Sequence, residues 1–575
     1  MSILVSVVAL VLFAQSLFSL HLMLYSWEDT GRLEASRGPR SFLTPRLSFS
    51  VLLPARHEET VIYDTITRVA SADYPAHLLE IVVVCHTDDD GTIAEGLRAA
   101  RALPSHSIRV ETFSGLPINK PRGLNIGFAR TSGDVVTIFD AEDDVDPGIF
   151  NVVNTVMLQE ETGIVQAGVQ LMNFRDTWFG MHNCLEYFFW FKSRLHFHAK
   201  VGMIPLGGNT VFMRRGLIAR VGGWDEGCLT EDAEIGLRLS LLGEPIRVVY
   251  NARHVTREET PATVVSFVKQ RTRWQQGFLQ VLRKGAWLGL PRMGQRLLAL
   301  YTLSYPLVQA SLALLWPVTI ATAIGLKLPV PVAMVSFLPL YALFLQLLVT
   351  LVGARVFVKE YDLRFPLLLP LTMTLTFLPF QWLLGVSALR AVYREARRQH
   401  NWEKTAHAGA HRRIEPVPVA LFDRLLDEAG VHLGAERGSV MAVDHAANTL
   451  TIQASRGLPD AIVASTTIAV GEGIAGWVAR TGRPVVVDGR QLPEDVQPRL
   501  RQPGLRSAVV LPVAQHGRMV AVLSVSSHRA DLGDDAVRWL DERIRLIATD
   551  STVASQGDRA RPLGGTAMVE PAWPL

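Results

Sequence analysis

Four apolar runs constrain this chain more than anything else in it. Residues 3–25, ILVSVVALVLFAQSLFSLHLMLY, carry no side chain with a fixed charge at neutral pH, and further runs lie near 297–326, 331–353 and 365–389. A helix crossing a bilayer takes roughly 20 such residues, because in lipid every backbone N–H and C=O must be satisfied within the segment. A secretory signal is the competing reading of the first run. It calls for a basic leading region and a small-residue cleavage site. Met1-Ser2-Ile3 supplies no base and bulky residues fill the far end, so a retained transmembrane helix is expected over 1–26. Arg32, Arg37, Arg40 and Arg46 follow it. Positive flanks stay cytoplasmic, which places the next segment inside.

The rest of the chain is not membrane-like. With 49% hydrophobic and 19% charged residues it is too apolar for an ordinary soluble enzyme and too charged for a bare helix bundle, so a mixed architecture is expected. A net charge of +3 points to no nucleic-acid partner. Cys85, Cys184 and Cys228 have no CxxC spacing and suggest neither a disulfide framework nor a zinc site.

Residues 48–260 alternate strand and helix patterns. FSVLLPA, EIVVVC and DVVTIFD are short β-branched runs, and TIAEGLRAARAL between two of them has helical spacing. This rhythm predicts an α/β domain with a mostly parallel sheet and its ligand crevice at the carboxyl ends of the strands. Residues 261–292 mix bases with Trp, Phe and Leu at helical spacing, the pattern of an amphipathic helix in the membrane interface. A transmembrane region is expected over 293–390 and a basic juxtamembrane linker over 391–415. Three crossings after a cytoplasmic domain would leave that linker outside, whereas its charge says inside. Either one run does not cross fully or one hides two shorter passes; Pro366, Pro370 and Pro379 mark 365–389 as the segment expected to break. Residues 416–550 return to soluble character, with an amphipathic helix leading into alternating strands, two of them joined through His516-Gly517. A Gly- and Pro-rich tail from 551 to 575 is expected to be disordered.

The stretch TIFDAEDDVDP, residues 137–147, ends an apolar strand in five carboxylates: Asp140, Glu142, Asp143, Asp144 and Asp146. Like charges this close raise one another's pKa, so a positive partner is required. Hard oxygen donors suit Mg²⁺ or Mn²⁺, and such an ion could hold a diphosphate. The plain alternative is a solvated acidic loop. An EF-hand fits poorly, since Asn151 stands where its bidentate Glu belongs. Around this run lie VLLPARHEE, VVVCHTDDDGT, INKPRGLNIGF, IPLGGNTVFMRR, GGWDEGCLTEDAEIGLRLSLLG and QRTRW, in that order.

The ordered set resembles the family 2 glycosyltransferases, and more narrowly the cellulose-synthase-like processive β-glycan synthases, over roughly residues 48–290. The resemblance implies a GT-A-like nucleotide-sugar transferase domain. It assigns Pro54, Ala55, Glu58, Asp88 or Asp89, Lys120, Asn125 and Asp140 to the nucleotide sugar, with Cys85-His86 departing from the family's Asp-Asp-Gly-Ser. Asp140 and Glu142 stand at the DxD positions as metal ligands. Thr230-Glu231-Asp232 matches the TED motif; Glu231 and Asp232 are the catalytic candidates and Asp232 the general base, against the alternative of a plain helix cap. Gly208, Asn209, Gln270, Arg273 and Trp274 would meet acceptor and diphosphate. His196 and His198 are read as ordinary core or interfacial residues. VGEGIAGWVARTGRPVVV, residues 470–487, resembles the central segment of GAF domains, which bind small ligands or partners; no cysteine is present there for a bilin.

The function implied is an inverting hexosyltransferase of the inner (plasma) membrane, multi-pass, with both soluble domains cytoplasmic. It would move hexose from UDP- or GDP-hexose to a growing β-linked polysaccharide, with Mg²⁺ or Mn²⁺ and under GAF control. The alternatives are single addition to a lipid-linked acceptor, or a sensor with an inactive transferase domain.

Overall fold

The computed structural model of the 575-residue chain describes residues 2–39, 41–325, 330–361, 363, 365–401, 403, 419–444, 449–487, 507–515 and 518–544. The expected tail 551–575, most of the end of the 391–415 linker and the His516-Gly517 joint lie outside the described residues. The chain divides into two compact units, Met1–Tyr361 with Phe365–Arg412, and Asp362–Arg364 with Arg413–Leu575.

In the first unit the short β-branched runs become strands: β1 (Phe49–Pro54), β2 (Leu79–His86), β3 (Ser107–Phe113), β4 (Val135–Ile138), β5 (Ile164–Ala167), β6 (Val169–Leu171), β7 (Val211–Arg214), β8 (Ile246–Val249) and β9 (Thr256–Glu258). Seven form one sheet in the order β3-β2-β1-β4-β7-β5-β8, and β6 pairs with β9 in a separate ribbon. The first four are mutually parallel and β8 is parallel to β5, while β7 runs antiparallel to β4 and β5. Strand β2 is buried along its whole length and β1 nearly so, as expected where helices cover both faces. Edge strand β3 alternates in exposure. Phe49, Phe139, Phe150 and Phe212 are fully buried and meet edge to face at 5.2–6.3 Å between Phe49 and its partners and between Phe139 and Phe150, the preferred aromatic geometry. The register Leu52↔Val82 and Leu52↔Ile138 brings the carboxyl ends of β1, β2 and β4 to one edge of the sheet.

Among the described residues four helices are long and apolar enough to cross a membrane: Ser6–Leu24, Met293–Leu314, Val330–Glu360 and Leu369–Ala396. The break expected in 365–389 falls elsewhere. Pro370 occupies the first turn of Leu369–Ala396, where its missing N–H has no helical acceptor to lose, and Pro379 sits inside a continuous helix. The interruption is instead at Phe337, between Val330–Ser336 and Leu338–Glu360, just before a proline at the start of the second piece. The QRTRW segment lies on the helix Val264–Lys284. Thr263 and Ser266 form a reciprocal cap at its start, and Gly285 closes it at φ 74°, a left-handed position that suits glycine.

In the second unit a six-stranded antiparallel sheet runs β12-β11-β10-β15-β14-β13, with β10 (Arg437–Asp444), β11 (Thr449–Arg456), β12 (Thr467–Ala469), β13 (Val485–Val487), β14 (Ser507–Gln515) and β15 (Arg518–Ser527). One core gathers Phe422, Leu425 and Leu426 of the helix Val419–Leu433 with Leu523 and Leu540. Another is built around Trp477 and Val478 of the helix Gly473–Thr481 with Met441, Leu450 and Val522. A Cβ on Gly476 would sit 2.5 Å from the Ala469 carbonyl, so this helix enters as closely as it does only with glycine there.

Candidate active site

The carboxyl edge of the large sheet opens into a cavity of about 730 Å³. Its walls include Pro54, Ala55 and Glu58 at and after the end of β1, His86 at the end of β2, Lys120 at the start of the helix Lys120–Phe128, Asp140 and Glu142 after β4, and Gly208 and Asn209 before β7. Glu231 and Asp232 face it from the start of the helix Glu231–Leu241, and Gln270, Arg273 and Trp274 from Val264–Lys284. Three expected nucleotide residues are not among the described lining. Asp89 is buried, accepts from the Thr92 and His57 amides and caps the helix Asp90–Ala102. Those amides hold its carboxyl below the usual range although burial opposes this. Asp88 pairs with His86 and Arg56 on the outside. Asn125 holds the 224–226 loop through the Trp224 amide and carbonyl and Glu226.

Four of the five crowded carboxylates meet separate partners. Asp140 lies 2.5 Å from Lys120 Nζ, which also donates to the Gly208 carbonyl at 2.9 Å. Burial works against the charge on Lys120, but Asp140, Glu231 and Asp232 together hold its pKa above the ordinary value. Asp144 pairs with Arg68 at 2.9 Å, and Asp146 with His254 at 2.8 Å. Asp143 is fully buried; it accepts from the Asp140 amide and from Asn209 Nδ2 at 2.8 Å. Burial, with Glu258 and Asp140 nearby, pushes its carboxyl well above the usual range. Protein cations thus answer part of the repulsion that the sequence poses, and the burial of Asp143, which favours its uncharged form, answers more.

Among the described residues no group of three or more His, Cys, Asp or Glu is gathered as a metal cluster. Asp140 and Glu142 do reach the cavity together. Mg²⁺ is commonly held by one or two carboxylates, with phosphate oxygens and water completing the octahedron, and this donor set fits such an ion.

Burial, and then the neighbouring Asp232, raise the Glu231 carboxyl to about 7. Asp232 is raised too, by burial, against its hydrogen bond from the Ala233 amide and the charge of Lys120. Burial draws Arg273 below its ordinary value, opposed by Glu231, Asp140 and Asp232. The site is therefore a dense, largely dry array of opposite charges. At Gly208 a Cβ would stand 3.1 Å from Asp232 Oδ2 and 3.6 Å from Lys120 Nζ, so the missing side chain keeps the space between base candidate and cation clear. Neighbouring Thr210 adopts φ 52°, strained for a β-branched residue, and such strain concentrates at functional loops. Arg271, which pairs with Glu186 at 2.6 Å, lies 4.8 Å over the Trp274 ring. Pattern reading of the sequence passed over Glu258, Glu186 and Arg271. They lie outside the family motifs, apart from Arg271 within QRTRW, and reach the site only through folding.

The cavity does not stop at the soluble domain. It continues between three of the apolar helices, past Tyr301, Tyr305, Gln309, Gln346, Thr350 and Gln381.

A sheet of this order, with an acidic turn after β4 and a second acidic pair on a facing helix, is GT-A-like. Residues 45–277 match the family described as glycosyltransferase like family 2 and residues 418–549 match the GAF domain family; the chain carries a family 2 glycosyltransferase domain followed by a GAF domain. It is similar to the "Probable glycosyltransferase YdaM" of Bacillus subtilis, 31% identical over 41% of this chain and 56% of the relative. It is also similar to the beta-monoglucosyldiacylglycerol synthase of Synechocystis, 26% identical over 63% of this chain and 75% of the relative. A third relative is the poly-beta-1,6-N-acetyl-D-glucosamine synthase of Staphylococcus epidermidis, 26% identical over 44% and 60%. The chain spans little more than half the length of the first of these.

Proposed function

We propose that the protein is a membrane-bound, inverting glycosyltransferase that moves hexose from a UDP- or GDP-sugar to a growing β-linked polysaccharide. The observation that carries this reading is the single cavity that runs from Asp140 and Asp232 into the apolar helices with polar side chains along it. Amide and hydroxyl groups are costly at membrane depth and are suited to a polyhydroxylated chain. The four apolar helices and the basic flanks support a reading of the inner membrane as its site, with both soluble domains cytoplasmic.

In the reaction the acceptor hydroxyl attacks the anomeric carbon from the face opposite the diphosphate. Asp232 takes its proton as the new O–C bond forms, because an unassisted sugar hydroxyl is a poor nucleophile. The bond to the phosphate oxygen breaks, and the nucleoside diphosphate leaves with the electron pair. Lys120 and Arg273 are placed to hold the charge that develops there. Asp140 and Glu142 would hold a divalent cation, which supplies further charge stabilisation to the diphosphate. Trp274, under the Arg271 guanidinium, offers an aromatic face to a sugar ring.

A second reading is supported by the relative that acts as a glucosyldiacylglycerol synthase and by Phe377, Phe380 and Leu384 lining the same cavity. It is addition of one sugar to a lipid. Purified protein offered a panel of nucleotide sugars with Mg²⁺ or Mn²⁺ separates the two: a ladder of water-soluble oligomers is expected. One sugar per acceptor, extracted into organic solvent, would overturn the processive reading in favour of the lipid one.

A further inference from the structure

The end of the cavity away from Asp232 is built by Pro54, Ala55, His86, Phe113 and Ile118. These residues stand at the carboxyl ends of β1, β2 and β3 and in the loop that follows. Strand β2 is two places from β4 in the sheet, or about 10 Å. That distance suits a nucleoside whose diphosphate lies at Asp140. Resting on the donor proposed above, this end would receive the base.

Two aspartates expected there are otherwise engaged. Asp89 caps a helix, and Asp88 faces His86 and Arg56. Among the polar groups that line this end, beside Arg56, His57 and Glu58, is His86. It is 9% exposed and stands edge-on to Phe113, ring centroids 5.2 Å apart. Its Nδ1 lies 2.6 Å from Asp88 Oδ1. The Asp88 carboxylate can only accept, so Nδ1 carries the hydrogen, and in the neutral ring Nε2 is then the acceptor. The Asp88 amide approaches the same Nδ1, but at 3.4 Å, and is the weaker contact. Nε2 is buried with no hydrogen-bond partner among the described residues. Burial of an acceptor in that condition is costly, and a ligand in the adjoining cavity is the natural means of satisfying it.

We infer that His86, held in one tautomer by Asp88, accepts a hydrogen bond from a ring N–H of the donor's nucleobase and so sets which donors the enzyme takes. Uracil and guanine present such an N–H. Adenine and cytosine present a bare nitrogen at the matching ring position, and two lone pairs would then face each other. His86 is a binding residue in this account and Asp88 a positioning residue acting through it.

The test uses full-length protein in detergent or nanodiscs and measures binding of UDP, GDP, ADP and CDP by calorimetry, together with N3-methyl-UDP and N1-methyl-GDP. Wild-type protein is expected to bind UDP or GDP about tenfold more tightly than ADP and CDP, and to lose about tenfold on methylation of the preferred base. His86→Phe keeps the ring against Phe113 and removes the acceptor, so it should bind the preferred nucleotide and its methyl derivative alike. Asp88→Asn, at an exposed position, should reduce the same discrimination without removing it. If His86→Phe discriminates as wild type does, or if wild type binds ADP and CDP as well as UDP and GDP, the inference is overturned while the transferase reading stands. If no nucleoside diphosphate binds at all, both fall.

Discussion

Glu231 and Asp232 are adjacent in sequence and share one cavity. Burial raises both, and the neighbouring Asp232 adds to the rise of Glu231, which reaches about 7; such a pair releases its protons in two steps that belong to both groups. A base must be ionised to act, so activity should climb as pH rises through about 7. Lys120 and Arg273 nearby favour the ionised forms, while Asp140 and Asp143 lie across the site. Replacing Glu231 by Gln removes one of the two charges, and the rising limb of kcat/KM against pH should move to lower pH. Asp232→Asn should lower kcat by about 10²- to 10⁴-fold with nucleotide affinity little changed. A pH–rate profile and a binding isotherm on each variant check both expectations, and undiminished turnover in Asp232→Asn would remove Asp232 from the role of base. Single residues also mark where sequence patterns stop. Asp88, Asp89 and Asn125 sit at motif positions yet bond within the protein: Asp89, at a helix start, finds backbone N–H groups close at hand, Asp88 meets the His86 and Arg56 side chains, and Asn125 reaches across to Trp224 and Glu226. His86, which departs from the motif, lines the cavity.

The helix that carries QRTRW approaches the TED loop unusually closely. A Cβ on Gly277 would lie 2.5 Å from Thr230 Cγ2 and would also meet Thr230 Oγ1. Those contacts are tighter than packed atoms allow, so Gly277→Ala has to push the helix and the loop apart. Arg273 and Trp274 lie about one turn before Gly277 and would move with it. A displacement of about 1 Å can cost on the order of 10²-fold in rate. A fall in kcat is therefore expected, with little change in nucleotide binding, since β1, β2 and β4 are untouched. Steady-state kinetics alongside calorimetry separate that outcome from general unfolding. The spacing of Gln270, Arg273 and Trp274 shows that they share neighbouring helix faces. Which element the helix presses against, and through which glycine, is a long-range matter that no local pattern carries.

The chain comprises two compact units, each with its own apolar cores, so scanning calorimetry in detergent should resolve two transitions. Gly476→Val would drive a side chain into the Ala469 carbonyl and the Gly471 amide and should lower one transition by several degrees while leaving the other in place. Sugar transfer measured on the same variant then reads out whether the GAF domain governs the transferase: a changed rate supports regulation, and an unchanged rate argues for a passive module. At this scale the sequence by itself determined the class of each segment. Apolar length marks the four candidate spans, β-branched runs mark the strands, and ordered motifs mark the transferase domain, because each of these is a local property of side-chain chemistry and spacing. Tertiary structure alone decided the rest. The antiparallel insertion of β7 between β4 and β5, the helix break at Phe337 in place of Pro379, the separate partners of four of the clustered carboxylates and the extension of the cavity past Gln309 and Gln346 all depend on contacts between residues tens to hundreds of positions apart. Such contacts are set by which surfaces can close-pack and which buried polar groups can find partners, and neither is written in any one stretch of the chain.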